Sequence, residues 1–422
     1  MDGTRDALLR DVRAVALAEG VDVRKLSRSA YVLKGNFGFR FERVGTWGQV
    51  RMLAALEEGE PPTERDPKES EGARQEISYA RKLERQIGRA EWFADRLDSA
   101  LSRALERQPI VAAEVRKPVA LRKESRAKAT LTALLSDLHF GVSVDPVECH
   151  GSAFSWQIAC RRLAKVAEQC ADWKPEKRDL TDLVIVLNGD IIEGVIHLDS
   201  HLIDPLSTQI VGATRALVSM IDFLRGHFRN VRVICAPGNH DRVTHRGHGR
   251  TTAQRWDSHA RSIYLGLECA FRSCDDVRVE VPNGALAWYE APGDHLIVAS
   301  HGDTEPTISN PGKGINTARI GEKLRAIDAA RVFGREIEVL LLGHWHQPAA
   351  FMAPHGAMAV VNGSLIGGSP FAQNGAGVWD PEPAQWIFES VAGYPFGDSR
   401  IVRLRDADAR ADLDAIIPTP SV

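Results

Sequence analysis

Cysteine is scarce and unpatterned in this 422-residue chain: six residues, at 149, 160, 170, 235, 269 and 274, form no CxxC pair. That spacing excludes a thiolate zinc knuckle and a disulfide-stapled scaffold, and leaves reduced thiols as the expectation. Long apolar runs are missing as well. No window reaches the roughly 20 residues that a membrane-spanning helix needs. The opening MDGTRDALLRDVRAVALAEG is charged throughout and lacks the apolar centre of a signal peptide. A cytoplasmic location and no membrane partner are therefore expected.

A strong charge of either sign is absent too, the net being −3, but the charge is unevenly spread. Lys and Arg exceed Asp and Glu over the first 130 residues, and acid exceeds base over the rest. Between 24 and 43, Arg24, Lys25, Arg28, Lys34, Arg40 and Arg43 stand against Glu42 alone. A second basic cluster runs from Arg116 to Lys128 against Glu124. Basic clusters ahead of an acidic body have the form of a nucleic-acid tether, and equally of solvated faces and linkers.

Composition divides the chain into three parts. Residues 1–60 read as a small helical domain with a break at LKGNFGF, and GEPPTERDPKES (59–70) as a linker. The second part, 61–130, contains a long helix over 71–107. Its seam of Ala80, Leu83, Ile87, Ala90, Ala94, Leu97, Leu101 and Ala104 alternates steps of three and four. Such a seam fits either a homo-oligomeric coiled coil or a helix packed on its own protein.

From 131 to 422 the grammar changes. Six β-rich apolar runs, LTALLSDLHFG, DLVIVLNGD, VRVICAPGNHD, DHLIVASHGD, EVLLLGHWH and AMAVVNGS, alternate with helical segments and end in polar or glycine-bearing tips. Continuous apolar strands between helices indicate an α/β core covered on both sides. Ligands in such folds sit at the carboxyl ends of the strands, which is where the polar residues fall here. The tips bring Asp137, His139, Asp190, Asn239, His240, His301, His344 and His346. Carboxylate, amide oxygen and imidazole without thiolate suit Mn, Fe or Zn. Two ions about 3.5–4 Å apart, sharing one carboxylate, would use nearly all of them. In VRVICAPGNHDR, Pro237-Gly238 is expected to turn the chain sharply and present the polar quartet. His344 and His346 are expected to project the same way by a strand-like step of two.

The ordered series DLH, NGD, GNHD, SHGD and GHWH resembles the calcineurin-like metallophosphoesterase superfamily, whose pattern is DxH, GD, GNH(D/E), H and GHxH. The likeness spans roughly 131–400 and every motif is present. It implies a two-sheet β-sandwich flanked by helices, an α/β fold, here preceded by the small helical domain and the long helix. It also implies two divalent metal ions, Mn first, with Fe, Zn, Ni or Mg as alternatives. Asp137, His139 and His346 would hold one, Asn239, His301 and His344 the other, and Asp190 would bridge them. Water activated between the metals would be the nucleophile. His240 would stand over the phosphate, and Asp241 would orient it.

Arg242, Arg246, Arg250 and Arg255 follow the GNHD motif and suit bidentate phosphate contacts, or are ordinary surface arginines. The Gly-rich stretch 361–377 resembles the late loop that lines the cleft in this superfamily. Residues 24–56 resemble the small helical repeat found beside homing endonucleases, through Tyr31, Gly35, Phe41 and Gly45-Thr46-Trp47. That likeness implies a DNA-binding module in which Arg24, Lys25, Arg28, Lys34, Arg40 and Arg43 meet phosphates. Module and metal site together give the expectation of a metal-dependent nuclease, exo- or endo-, in bacterial cytoplasm or that of a phage host. A phosphatase or cyclic phosphodiesterase of small nucleotides, with an oligomerising N-terminal part, is the alternative. A scaffold with a vestigial site is disfavoured, since no ligand is missing.

Overall fold

The computed structural model describes residues 31–35, 38–43, 127–149, 151–173, 178–195, 203–243, 258–282, 284, 286–303, 314–353, 356–369 and 381–420. The chain separates into two units, Met1–Ser99 and Ala100–Val422. In the first unit, β1 (Tyr31–Gly35) and β2 (Gly38–Arg43) pair antiparallel with Gly35 opposite Gly38. The helical reading of residues 1–60 is corrected over this stretch. Tyr31 and Leu33, then Phe39 and Phe41, repeat with a period of two, and two glycines bracket a two-residue connection. The helix expected over 71–107 lies outside the described residues.

The second unit holds the strands that the apolar runs foretold. In chain order they begin with β3 (Ala127–Leu135), helix α1 (Trp156–Ala171), β4 (Arg178–Asn188), α2 (Leu206–Leu224), β5 (Asn230–Ala236), α3 (His259–Phe271) and β6 (Val277–Glu280). There follow β7 (Ala287–Ala291), β8 (His295–Ala299), α4 (Thr317–Ala329), β9 (Val339–Leu342), β10 (Ala349–Met352), β11 (Met358–Val361), β12 (Ala384–Val391) and β13 (Ser399–Arg403). Two 3₁₀ turns, Arg405–Ala409 and Ala411–Ala415, close the described chain.

One sheet has the order β13-β12-β3-β4-β5-β6 and the other β10-β11-β9-β8-β7. Strands β3, β4, β5 and β6 are mutually parallel, as are β8, β9 and β11, while β12, β13, β7 and β10 add antiparallel neighbours. The inner faces meet in one core: Leu134, Val184, Val186, Ile234 and Phe388 from the first sheet pack with Tyr289, Ile297, Val339, Leu341 and Val360 from the second. Tyr289 Oη and Thr132 Oγ1 lie 2.7 Å apart across it, which satisfies both hydroxyls in an apolar interior. The outer face of the second sheet packs Val298, Leu340 and Leu342 against Ile320 and Leu324 of α4. This is the flanked two-sheet sandwich, and the segments that follow β3, β4, β5, β8 and β9 meet on one side of it.

Helix α1 begins at Ser155, whose hydroxyl accepts from the Ile158 amide at 3.3 Å. Its buried Arg162 donates twice to Asp408, at 2.6 and 2.7 Å, and once to the Leu365 carbonyl at 2.6 Å. Arg161 meets Asp414 at 2.8 Å, and Arg410 meets Glu168 at 2.6 Å. These ion pairs bind the C-terminal turns to α1. All six cysteines are free thiols. Among the described residues no helix is long and apolar enough to cross a membrane.

Candidate metal centre

Each strand that ends at the site releases a short polar segment. Ser136 to His139 follow β3, Gly189-Asp190 follow β4, Pro237 to Asp241 follow β5, Ser300-His301 follow β8, and Gly343 to His346 follow β9. Five of these side chains sit on left-handed backbone: Asp137 (φ 55°), His139 (48°), Asp190 (50°), His344 (73°) and His346 (56°). Each such residue costs about 1–3 kcal/mol, and the cost is met only where surrounding contacts fix the geometry. Here they do. Leu138 and His139 amides donate to the Asp190 carbonyl at 2.8 and 3.1 Å, and the Asp137 amide donates to the Gly189 carbonyl at 3.1 Å. The expected strand-like step of His344 and His346 is therefore corrected. Left-handed φ at both sends the two rings to different places.

Among the described residues three groups have ligand atoms within 4.8 Å of one another: Asp137, His139 and His346; Asp190, His301 and His344; and His139, Glu193 and His240. The first is the set that the resemblance implied, whereas the second holds Asp190 where the resemblance put Asn239. Asp137 lies 3.3 Å from His346 Nε2 and 4.0 Å from His301 Nε2, so the clusters adjoin. Asn239 Oδ1 and His344 Nε2 are buried without a hydrogen-bond partner, as is His301 Nε2. Buried polar atoms rarely stay unpaired.

The lone pairs themselves ask for a cation. His301 Nδ1 donates to the Asn188 carbonyl at 2.8 Å, so a neutral ring presents a lone pair at Nε2. That atom stands 3.0 Å from Asp190 Oδ2, itself electron-rich. In the same way His139 Nδ1 faces Glu193 Oε2 at 2.8 Å, while its Nε2 is 3.2 Å from His346 Nε2. A neutral His301 would set a lone pair against the Asp190 carboxylate, which repels unless a proton or a metal ion lies between, while the His139 and His346 rings are satisfied when one of the two donates. Histidines fixed at one nitrogen with the other aimed at a carboxylate fit divalent metal ions. With no metal ion between them, the Asp190 charge instead favours a protonated His301 whose Nε2–H donates to Asp190. Burial opposes charge on His301, but Asp190 pushes its pKa up to about 10, whereas burial and the His301 charge bring His344 down to about 4.

Close approach, rather than a turn, explains two glycines. Gly238 is not left-handed. A Cβ there would stand 2.1 Å from Asp190 Oδ1 and 2.2 Å from the Asp190 amide nitrogen. The chain bends at Asn239 and turns at His240-Asp241 as expected, and at Gly238 itself the requirement is clearance. A Cβ on Gly343 would meet Asp137 Oδ2 at 2.8 Å.

His240 lies at the edge of the site. Its main-chain amide donates to Asp190 Oδ1 at 2.7 Å, and its ring meets that of His139 edge-on with centroids 4.7 Å apart. Its Nδ1 is 3.1 Å from the Glu193 carbonyl and 3.5 Å from Glu193 Oε1. Burial disfavours its charged form, but Glu193 and Asp190 push the pKa up to about 9. The expectation that Asp241 orients His240 is corrected. The Asp241 carboxylate accepts from the amides of Asp190 (2.8 Å), Ile191 (3.0 Å), Ile192 (3.3 Å) and Gly238 (3.0 Å), which pins the β4 and β5 loops together. Burial and the charge of Asp190 raise its pKa to about 6, against the pull of those amides.

Glu193 is the residue that sequence reasoning missed. Buried and reaching both His139 and His240, it is held well below the usual carboxylate range by those rings despite its burial. Its signal was an acid three residues beyond Asp190 in GDIIEG. A polar network also supports Asp137: Ser136 Oγ donates to its carboxylate at 2.5 Å, and Asn362 Nδ2 donates to Ser136 Oγ at 3.1 Å and to Gln385 Oε1 at 2.7 Å. Asn362 opens the Gly-rich stretch, and the Leu365 amide donates to the Asp137 carbonyl at 3.0 Å. Arg242 turns back on the main chain, Nε donating to the Asn239 carbonyl at 2.6 Å. Arg246, Arg250 and Arg255, with Arg24, Lys25, Arg28 and the side chains of Lys34, Arg40 and Arg43, lie outside the described residues.

A family model described as calcineurin-like phosphoesterase matches residues 131–348. No curated protein matches the sequence. Among solved structures, a predicted phosphoesterase from Streptococcus pneumoniae TIGR4 is similar at 13% identity and TM-score 0.25, over 65% of this chain and 98% of its own. A metallophosphoesterase from Sphaerobacter thermophilus is similar at 13% identity and TM-score 0.29, over 70% and 96%. A dimetal phosphatase from Danio rerio gives 11% identity and TM-score 0.31, over 66% and 100%.

Proposed function

The chain belongs to the calcineurin-like phosphoesterase family, and on that premise we propose that it is a two-metal phosphodiesterase acting on DNA. The observation that carries the reading is the pair of adjoining donor clusters, with Asp190 in one, Asp137 in the other and His240 bonded to Asp190 through its amide. Asp137, His139 and His346 would hold one metal ion, and Asn239, His301 and His344 the other, with Asp190 shared. When bound, such ions neutralise phosphate oxygens and lower the pKa of water, with Mn the metal we favour. Asp241 keeps the two loops in register by occupying four amides. Glu193 holds the His139 ring by Nδ1, and its carbonyl and carboxylate engage Nδ1 of His240. Nε2 of His240 would carry a proton to the departing oxygen.

DNA as substrate is supported by the basic clusters at 24–43 and 116–128, which would track a phosphate backbone. Self-association through 71–107 and a cytoplasmic setting belong to the same reading. The test is hydrolysis by the purified chain in Mn²⁺ of linear duplex DNA, single-stranded DNA and bis-para-nitrophenyl phosphate. Cleavage of DNA is expected. Hydrolysis of the small diester with DNA left intact would instead assign a nucleotide phosphodiesterase.

A further inference from the structure

The polar site continues past His346, whose side chain is 30% exposed. Beside it lies a cavity of about 530 Å³, lined by His346, Pro348, Pro381, Glu382, Ile401 and Arg403 among others. That volume is in the range of sites for small organic ligands. Two prolines and Ile401, 38% exposed, give it apolar walls.

Its charges are unequal. Glu382 is held by Arg405 Nε at 3.2 Å. Arg403, at the end of β13, is exposed and meets no carboxylate among the described residues. Its position is tied to the metal centre through the sheet. Arg403 pairs with Ala384 across the ladder, and the next residue, Gln385, accepts from the Ser136 amide at 3.0 Å beside Asp137. A planar, permanently charged fork that meets no carboxylate among the described residues, in a cavity that His346 also lines, matches a phosphate group.

We propose that this cavity is a second substrate subsite, taking the nucleoside next to the scissile phosphate. The base or sugar packs on Pro348, Pro381 and Ile401, and Arg403 binds the next phosphate along. The inference rests on the phosphodiesterase reading above and names the substrate's second contact. No bond is made or broken there.

The test compares wild type with Arg403→Gln and Arg403→Lys in Mn²⁺. The substrates are bis-para-nitrophenyl phosphate, the dinucleotide TpT, and TpT carrying a further 5′- or 3′-phosphate. Wild type is expected to prefer one phosphorylated dinucleotide over TpT in kcat/KM. Arg403→Gln should cut that preference about tenfold, the value of one charge-assisted contact, and Arg403→Lys should restore part of it. Because the readout is a ratio within each variant, general damage to the protein cancels. An equal ratio in wild type and Arg403→Gln overturns the subsite while leaving the phosphodiesterase standing. Failure of wild type to hydrolyse any of the diesters overturns both.

Discussion

At the scale of single residues, the site is a set of backbone positions that few side chains tolerate. Gly238 shows the point most sharply, because any Cβ would collide with the Asp190 amide and carboxylate at 2.1–2.2 Å. Neither neighbour is the far end of a flexible chain. Gly238→Ala should therefore destabilise the fold by about 1–3 kcal/mol, as overpacking does, and lower the bound metal per chain, read by denaturant unfolding and elemental analysis. A variant that keeps both stability and metal would contradict the clearance argument. His259, buried at the start of α3 with Nε2 unpartnered, has its pKa brought down to about 4 by burial. Its unfolded ring titrates near 6.5. Above that pH it contributes no loss; as pH falls from 6.5 toward 4 the unfolded chain takes the proton and the native one does not. About 3 kcal/mol should be lost across that window, and His259→Leu should flatten this part of the stability profile. The candidate donors were legible as a group, because motifs such as GNHD and GHWH place rare combinations at strand ends. Glu193 was not, since a lone acid on a loop is indistinguishable from a solvated one until the fold buries it against two histidines. The role of Asp241 was misjudged for a related reason. Adjacency in sequence suggested a side-chain partner, whereas the main-chain amides of another loop claim it.

At the scale of elements, all six apolar runs became strands, and each is parallel to its fellows within a sheet. Continuous burial is what made them readable. Parallel β6 and antiparallel β7, β10, β12 and β13 were missed: β7 alternates buried and exposed residues, β13 is mostly exposed, and β12, though buried throughout, mixes Gln385, Glu389 and Ser390 with its apolar residues. Nor could apolar runs reveal that six strands divide between two sheets. That division sets the site, because the carboxyl ends of β3, β4 and β5 face those of β8 and β9 across one core. The clasp between α1 and the C-terminal turns is another product of tertiary contact. Arg162 is 2% exposed and spends three donors on Asp408 and Leu365. Arg162→Met should cost about 3 kcal/mol by leaving a carboxylate and a carbonyl unpaired, somewhat less than a fully buried pair would because Asp408 is partly exposed. Urea unfolding measures it, and limited proteolysis should cut the C-terminal turns first. An unchanged midpoint would show that the clasp is dispensable.

At the scale of the whole molecule, an acidic catalytic unit follows a basic N-terminal part. The donor clusters belong to the former, and the proposal of a polymeric substrate rests on the latter. The most direct measurement is of wild type and His240→Ala in Mn²⁺, scored together for metal content and for cleavage of end-labelled linear DNA. The substitution spares the His240 amide bond to Asp190, so both proteins should hold two Mn²⁺ per chain while only the wild type yields a product ladder. Metal-loaded wild type that leaves DNA whole, or His240→Ala that cleaves it as fast, would contradict the account.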